Sequence, residues 1–179
     1  LVQKLARAVM GNNNTDTCAR VCHSPTGYGL KTTFGTSAGT HDFDSVEDTD
    51  LALIIGANPT EGHPVFGSRL RKRLRQGAGV VVLDPRRIDL LNSPHMSTAL
   101  HLPLLPGTNV AVLTAMAHVI VAEGLEDAAF IRERCDWDEY LAYRDFLLDP
   151  RHAPEAVEAA THVPADLVRQ AARAYAGAP

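Results

Sequence analysis

The chain has 179 residues, 45% hydrophobic and 21% charged, with a formal net charge of −4 and a pI near 6.0. That length suits one domain, or one domain with an appendage, and supports a hydrophobic core without staples. The charge argues against general nucleic-acid affinity, and no apolar run reaches the roughly 18 residues of a membrane span. Three cysteines (Cys18, Cys22 and Cys135) are too few for a disulfide framework, so a reduced, cytoplasmic setting is the expectation. The chain starts at Leu1 inside a helical pattern without a start methionine, and it reads as a fragment.

In chain order, residues 1–10 carry helical spacing at Leu1, Leu5, Ala6 and Val9, with Gly11 to end the helix. Asn12–Asn14 is a turn or loop. Thr17–Leu30 holds the pair Cys22–His23 on a segment interrupted by Pro25, Gly27 and Gly29. In extended backbone, two adjacent side chains there point to opposite sides. Residues 31–45, rich in Gly, Thr and Ser, read as irregular. Val46–Asp50 leads into Leu51–Ile55, whose continuous apolar run predicts a strand buried on both faces.

A helix is predicted over His63–Gln76, with Val65, Phe66, Leu70 and Leu74 inward. Its basic residues Arg69, Arg71, Lys72, Arg73 and Arg75 read as a solvated face favourable to the helix dipole rather than a binding patch. Gly77–Gly79 breaks that helix, and Val80–Leu83 is a second buried strand. Strand, helix, strand with short links implies a parallel pair joined by a right-handed crossover. Ala99–Leu102 is a third strand. An apolar helix over Asn109–Ala122 turns Val110, Leu113, Ala117, Ile120 and Val121 inward and is capped by Thr108 or Asn109. One or two amphipathic helices over 127–148 follow, then helices over 154–160 and 164–176, the last started by Pro164. The fold class is therefore α/β: a doubly wound, mostly parallel, Rossmann-like sheet flanked by helices, with a helical C-terminal extension. It reads as a single domain in three parts: a loop region 1–45, an α/β core 46–124 and the extension 125–179.

Several stretches can carry chemistry. The thiolate of Cys22 suits a soft metal, and His23 can exchange a proton near neutral pH, although an isolated Cys is more often a small buried hydrophobe. Gly56–Pro64 follows the first strand, at the sheet edge where open α/β sheets bind ligands. Asn58 and Glu61 can hydrogen-bond a ligand there and Gly62 permits close approach, but Asn-Pro is also an ordinary turn signal. Asp84 ends the second strand, placed like a ribose-binding carboxylate, and Arg86 can grip a phosphate; a plain strand-ending turn is the alternative. Gly107 and Asn109 open the apolar helix, where backbone N–H groups suit an anion or a carbonyl oxygen, or a simple cap. Cys18, Cys22 and His23 fall short of the four ligands of a structural zinc or iron–sulfur site, and no Cys-x-x-Cys occurs. No Gly-x-Gly-x-x-Gly supports an NAD site in this segment, and no Gly-x-Ser-x-Gly makes Ser24 a hydrolase nucleophile. Cys135 and His118 read as packing residues.

The run Cys18-Ala-Arg-Val-Cys22-His23-Ser-Pro-Thr-Gly-Tyr-Gly-Leu30 resembles the active-site loop of molybdenum-dependent formate dehydrogenases, and most of all their soluble, NAD-linked bacterial members. The resemblance continues through Gly56–Pro59, Asp84–Arg86 and Pro106–Asn109, in the family's order, over essentially the whole chain but only about one domain of a larger catalytic subunit. It implies oxidation of formate to carbon dioxide at a molybdenum (or tungsten) centre held by two molybdopterin guanine dinucleotides. Cys22 matches the metal ligand, which is selenocysteine in some members, and His23 its catalytic neighbour. Asn58, Glu61, Gly62, Asp84, Arg86, Gly107 and Asn109 fall in segments that bind the cofactor. The implied partners are the subunit's remaining domains, which hold a 4Fe-4S cluster absent from this segment, and electron-transfer subunits; neither nucleic acid nor membrane is implied. The isolated segment is expected to be inactive. Two other readings stay open. One is another molybdopterin oxidoreductase such as a nitrate reductase, in which the ligand Cys is not followed by His. The other is a non-catalytic Rossmann-like nucleotide-binding module.

Overall fold

The computed structural model describes residues 1–92 and 99–178, in two units, Leu1–Asp42 and Phe43–Pro179. The first unit contains three helices, Val2–Ala8 (α1), Ala19–Cys22 (α2) and Ser24–Phe34 (α3). The third corrects the expectation of a segment interrupted by Pro25 and the glycines. Pro25 lies in the first turn, where its missing N–H had no helical partner to lose. Gly27 admits Ser37, whose Cβ would stand 3.7 Å from an added Gly27 Cβ. Thr32 and Thr33 return their hydroxyls to the carbonyls of Tyr28 and Gly29, each at 2.9 Å. Gly35, with φ of 75°, ends the helix in the left-handed conformation that glycine adopts without a Cβ clash. The irregular stretch therefore begins at Gly35, later than expected.

The second unit opens with a 3₁₀ turn, Asp44–Asp48, and continues through Leu51–Ile55 (β1), Pro59–Gly62 (α4), Pro64–Arg75 (α5) and Gly79–Leu83 (β2). A further 3₁₀ turn, Asp89–Asn92, precedes Ala99–Leu102 (β3) and Asn109–Ala122 (α6). The chain ends in Ala128–Arg134 (α7), Trp137–Leu147 (α8), Pro154–Thr161 (α9) and Ala165–Ala176 (α10). The strands pair in parallel in the order β1-β2-β3, with Leu53 opposite Val81 and Val81 opposite Leu100.

Alternation along β2 divides the core. Val81 and Leu83 pack with Leu102, Val112, Met116, Val157 and Val168 of β3, α6, α9 and α10. Val80 and Val82 pack with Leu70 and Leu74 of α5 and with Ile88, Leu90 and Leu91. A strand with both faces covered needs no polar alternation, so the doubly wound reading is what the structure shows. In β1 only Ile54 is buried, because β1 is an outer strand of this sheet. A continuous apolar run does not by itself separate an outer strand from a central one.

Three helix faces differ from expectation. Val65 is exposed, and Gly67 takes the inward place on α5 beside Leu70 and Leu74. On α6, Val110 and Leu113 face outward while Val112, Ala115, Met116 and Val119 join Val121 as the buried residues. That helix is apolar nearly all round, so its sequence offers no contrast from which to orient it. Cys135, expected in the core, is exposed at the end of α7, none of whose residues is buried. His118 does pack as expected, with Nδ1 2.6 Å from the carbonyl of Leu147. Pro164 is the N-cap of α10 rather than its first residue.

The basic face of α5 is matched by charge rather than merely solvated. Arg69 pairs with Asp44, Lys72 with Glu47 at 3.7 Å and Arg73 with Asp50 at 2.7 Å. Half-exposed pairs of this kind each contribute no more than about 1 kcal/mol. Among the described residues no helix is long and apolar enough to cross a membrane.

Gly67 decides how α4 sits on α5. A Cβ at that position would stand 2.7 Å from the carbonyl oxygen of Pro59 and 3.2 Å from the Cα of Thr60. These are backbone atoms and cannot swing aside. Gly67→Ala is expected to destabilise the protein by about 1–3 kcal/mol through overpacking, despite the better helix propensity of alanine. Urea unfolding of the two proteins measures this; an equal or raised midpoint would show that α4 yields without cost.

Candidate functional site

In the first unit, Cys22 is the last residue of α2, and His23 joins α2 to α3 with φ of −108° and ψ of −31°. The Cys22 N–H donates to the carbonyl of Cys18 and the His23 N–H to that of Ala19, both at 3.1 Å, while the His23 carbonyl accepts from Gly27 at 2.8 Å. The pair thus lies in helical backbone, which corrects the extended geometry expected for it. Successive side chains diverge by about 100° around a helix axis, so thiol and imidazole still leave in different directions. Both residues are exposed. The turn before them is fixed locally: Thr17 Oγ1 accepts from the Ala19 N–H at 3.2 Å, and Arg20 pairs with Asp16 at 3.3 Å. No three His, Cys, Asp or Glu side chains converge on a metal-sized position among the described residues. Cys22 offers a free, exposed thiol directly beside an imidazole, which suits a metal that brings its other ligands with it.

In the second unit, a cleft of about 180 Å³ is lined by Asn58, Glu61, Arg86, Arg87, Ile88 and Asp89. It lies beyond the carboxyl ends of β1 and β2, the edge at which open parallel sheets bind ligands. Gly56, with φ of 57°, turns the chain out of β1 while its N–H still donates to the carbonyl of Leu83 at 3.0 Å. Asn58 then caps α4: its backbone carbonyl accepts from Glu61 and Gly62 at 3.2 and 2.8 Å, and its Oδ1 accepts the Thr60 hydroxyl at 2.8 Å. With that oxygen engaged, the Asn58 amide has its NH₂ left to donate.

Asp84 shapes the opposite wall from beneath. It is buried, at 3% exposure, and its Oδ1 accepts the Arg86 N–H at 2.8 Å. The Arg86 guanidinium lies 3.5 Å from the same oxygen, and His101 Nε2, on β3, is 2.8 Å from the Asp84 carbonyl. Arg87 Nε donates to Asn92 Oδ1 at 3.2 Å, and Ile88 is buried beneath the loop. Two guanidinium groups and two carboxylates therefore ring the cleft. Guanidinium forks suit phosphate, and carboxylates accept from ribose hydroxyls or from the N–H edge of a guanine. The cleft is smaller than the roughly 300 Å³ at which complete small-molecule sites begin, so it fits part of a nucleotide rather than a whole cofactor.

Of the residues singled out from sequence, Asn58, Glu61 and Arg86 meet in this cleft, while Gly62, Asp84, Gly107 and Asn109 are not among its described lining. Gly107, with φ of 87°, and Asn109 lie at the start of α6. Thr108 is the N-cap there, but its hydroxyl donates back to the Leu105 carbonyl at 2.7 Å and caps no N–H, contrary to expectation. Sequence reasoning missed Arg87, Ile88, Asp89 and His101. The first three follow directly on Asp84-Pro85-Arg86, and extending the site along the whole loop after β2 would have found them. No local pattern marks His101.

The likeness to known proteins runs through both units. Formate dehydrogenase H of Escherichia coli (strain K12) is 40% identical over 178 residues, which are 99% of this chain and 24% of the relative. A nitrate reductase of Symbiobacterium thermophilum is 34% identical over 181 residues, 97% of this chain and 23% of the relative. Among solved structures, acetylene hydratase from Pelobacter acetylenicus superposes with a TM-score of 0.72 at 26% identity, covering 96% of this chain and 22% of that one. The chain thus spans about a quarter of the length of these relatives. The model of one family, molybdopterin oxidoreductase, matches residues 1–173, from α1 through most of α10. With that model matched over nearly the whole chain, the chain belongs to the molybdopterin oxidoreductase family.

Proposed function

We propose that this chain is the ligand-loop and cofactor-binding part of the catalytic subunit of a formate dehydrogenase. The observation that carries the reading is the exposed Cys22–His23 pair, together with 40% identity to a formate dehydrogenase over nearly the whole chain. Formate loses two electrons and a proton to become carbon dioxide. When bound, a molybdenum or tungsten bis-(molybdopterin guanine dinucleotide) group supplies the two-electron chemistry. The protein's share is ligation, orientation and proton handling. The Cys22 thiolate holds the metal, and the His23 imidazole orients formate and takes the proton.

In the second unit, Asn58, Glu61 and Arg86 hold the guanosine end of one dinucleotide, with Asp84 bracing the Arg86 loop, Gly62 allowing close backbone approach, and Gly107 and Asn109 opening α6 where backbone N–H groups suit an anion or a carbonyl oxygen. Domains beyond this chain complete the cofactor's walls and carry a 4Fe-4S relay. Electron-transfer subunits pass electrons on, to NAD bound outside this segment, in the cytoplasm. By itself the 179-residue chain does not oxidise formate. The second reading, a nitrate reductase, is favoured by the relative of that name at 34% identity, and His23 argues against it.

Asp84 tests the nucleotide half of this reading. Asp84→Asn keeps an Oδ1 for the Arg86 N–H and loses the charge; Asp84→Ala loses both. Loss of a charge-assisted hydrogen bond costs about 1.5–3 kcal/mol. Guanosine-cofactor content of the full-length protein after gentle purification should therefore fall most in the alanine variant and less in the asparagine one. Equal, undiminished content in both would leave Asp84 a turn residue only. Turnover of nitrate, with none of formate, by the same full-length protein would select the second reading.

A further inference from the structure

We infer that Cys18 and Cys22 form a reversible disulfide site, in which each thiol protects the other from irreversible oxidation when no metal is bound. Cys18 is the N-cap of α2 and Cys22 its last residue, one helical turn apart, with the Cys22 N–H donating to the Cys18 carbonyl at 3.1 Å. Side chains at that spacing share a helix face. Both cysteines are exposed and neither is in a disulfide, so a small oxidant reaches either one.

Geometry sets a condition. Cβ atoms one turn apart in a helix stand roughly 5–6 Å from each other, whereas a disulfide needs about 3.5–4.5 Å. The shortfall closes only if α2 uncoils. This helix is built to allow it: four residues long, with none buried and no side-chain cap from Cys18. Short isolated helices have little stability of their own. The side chain of Arg20, between the two cysteines, pairs with Asp16 where both are exposed, so its release is cheap.

The oxidant is a hydroperoxide. One thiolate attacks the peroxide, the O–O bond breaks, an S–O bond forms and the other oxygen leaves as water after taking a proton. The second thiolate attacks that sulfur, the S–S bond forms, the S–O bond breaks, and hydroxide leaves as a second water. Two thiols and one hydrogen peroxide thus become one disulfide and two waters. A thiol without a neighbour passes instead to sulfinic acid, which thiol reductants do not restore. The inference requires no metal, so its failure leaves the proposed ligand role of Cys22 untouched.

The test uses cofactor-free full-length protein, treated with a slight excess of hydrogen peroxide, alkylated and digested with trypsin. Cleavage after Arg20 separates the two cysteines, so the disulfide appears as peptide 8–20 joined to peptide 21–31. That joined species should form, disappear with dithiothreitol, and persist in Cys135→Ser. In Cys18→Ser it should be absent, and the fraction of Cys22 recovered by dithiothreitol should fall several-fold as sulfinic acid accumulates. Sulfinic acid at Cys22 forming equally fast with and without Cys18, or Cys22 joined to Cys135 instead, would overturn the inference.

Discussion

Replacing Cys22 by alanine in the full-length protein is expected to reduce formate oxidation to background while leaving the fold intact. The two halves of this expectation have separate causes. Activity falls because the metal loses its proposed side-chain ligand; no group of three His, Cys, Asp or Glu side chains converges to replace it among the described residues. The fold survives because Cys22 is exposed and α2 buries nothing. Surface substitutions of that kind stay within about 0.5 kcal/mol, and alanine is the better helix former. Formate-dependent dye reduction measures the first effect and thermal unfolding the second. Turnover close to normal in the variant would remove Cys22 as the ligand. A large drop in melting temperature would make the residue structural.

The His23→Ala variant is expected to lose roughly two to four orders of magnitude in turnover, the usual contribution of a positioned acid–base group, with metal content close to normal. The backbone around His23 is held by main-chain hydrogen bonds to Ala19 and from Gly27, none of which needs the imidazole. The substitution thus removes the ring without disturbing the junction that presents Cys22. Turnover and metal content measured on one preparation distinguish the outcomes. Joint loss of metal and activity would assign His23 to cofactor insertion, and turnover within a few-fold of normal would leave it without a chemical role.

The parts of the fold that could be read from sequence were those with strong local contrast. β1 and β2 announced themselves as short apolar runs closed by Gly56 and by Asp84-Pro85, and α5 through the break at Gly77–Gly79; all appear close to their expected limits. Orientation was legible only where polar residues marked an outer face. On α5 the arginines left Leu70 and Leu74 as the inner face, whereas α6 carries apolar residues on every side and its inward set was misread at Val110 and Leu113. Around Cys22 the sequence marked the chemistry and hid the conformation. Proline and glycine signalled a broken loop, yet Pro25 at a helix start and Gly35 at its end delimit α3. In the cleft, Asn58, Glu61 and Arg86 could be found because they sit next to strand ends. His101, which is not among the cleft's lining, could not be found, because its bond to the Asp84 carbonyl comes from a different strand. Pairings between distant parts of the chain, such as Arg73 with Asp50, are likewise set by packing and leave no local trace.

In the proposed site the sulfur of Cys22 binds the metal. X-ray absorption at the metal's edge, on full-length protein carrying its cofactor, compares wild type with Cys22→Ala and counts the sulfur atoms around the metal. One fewer sulfur in the variant, with the pterin sulfurs retained, is the predicted result. An unchanged sulfur shell in a variant that has kept its metal would contradict it.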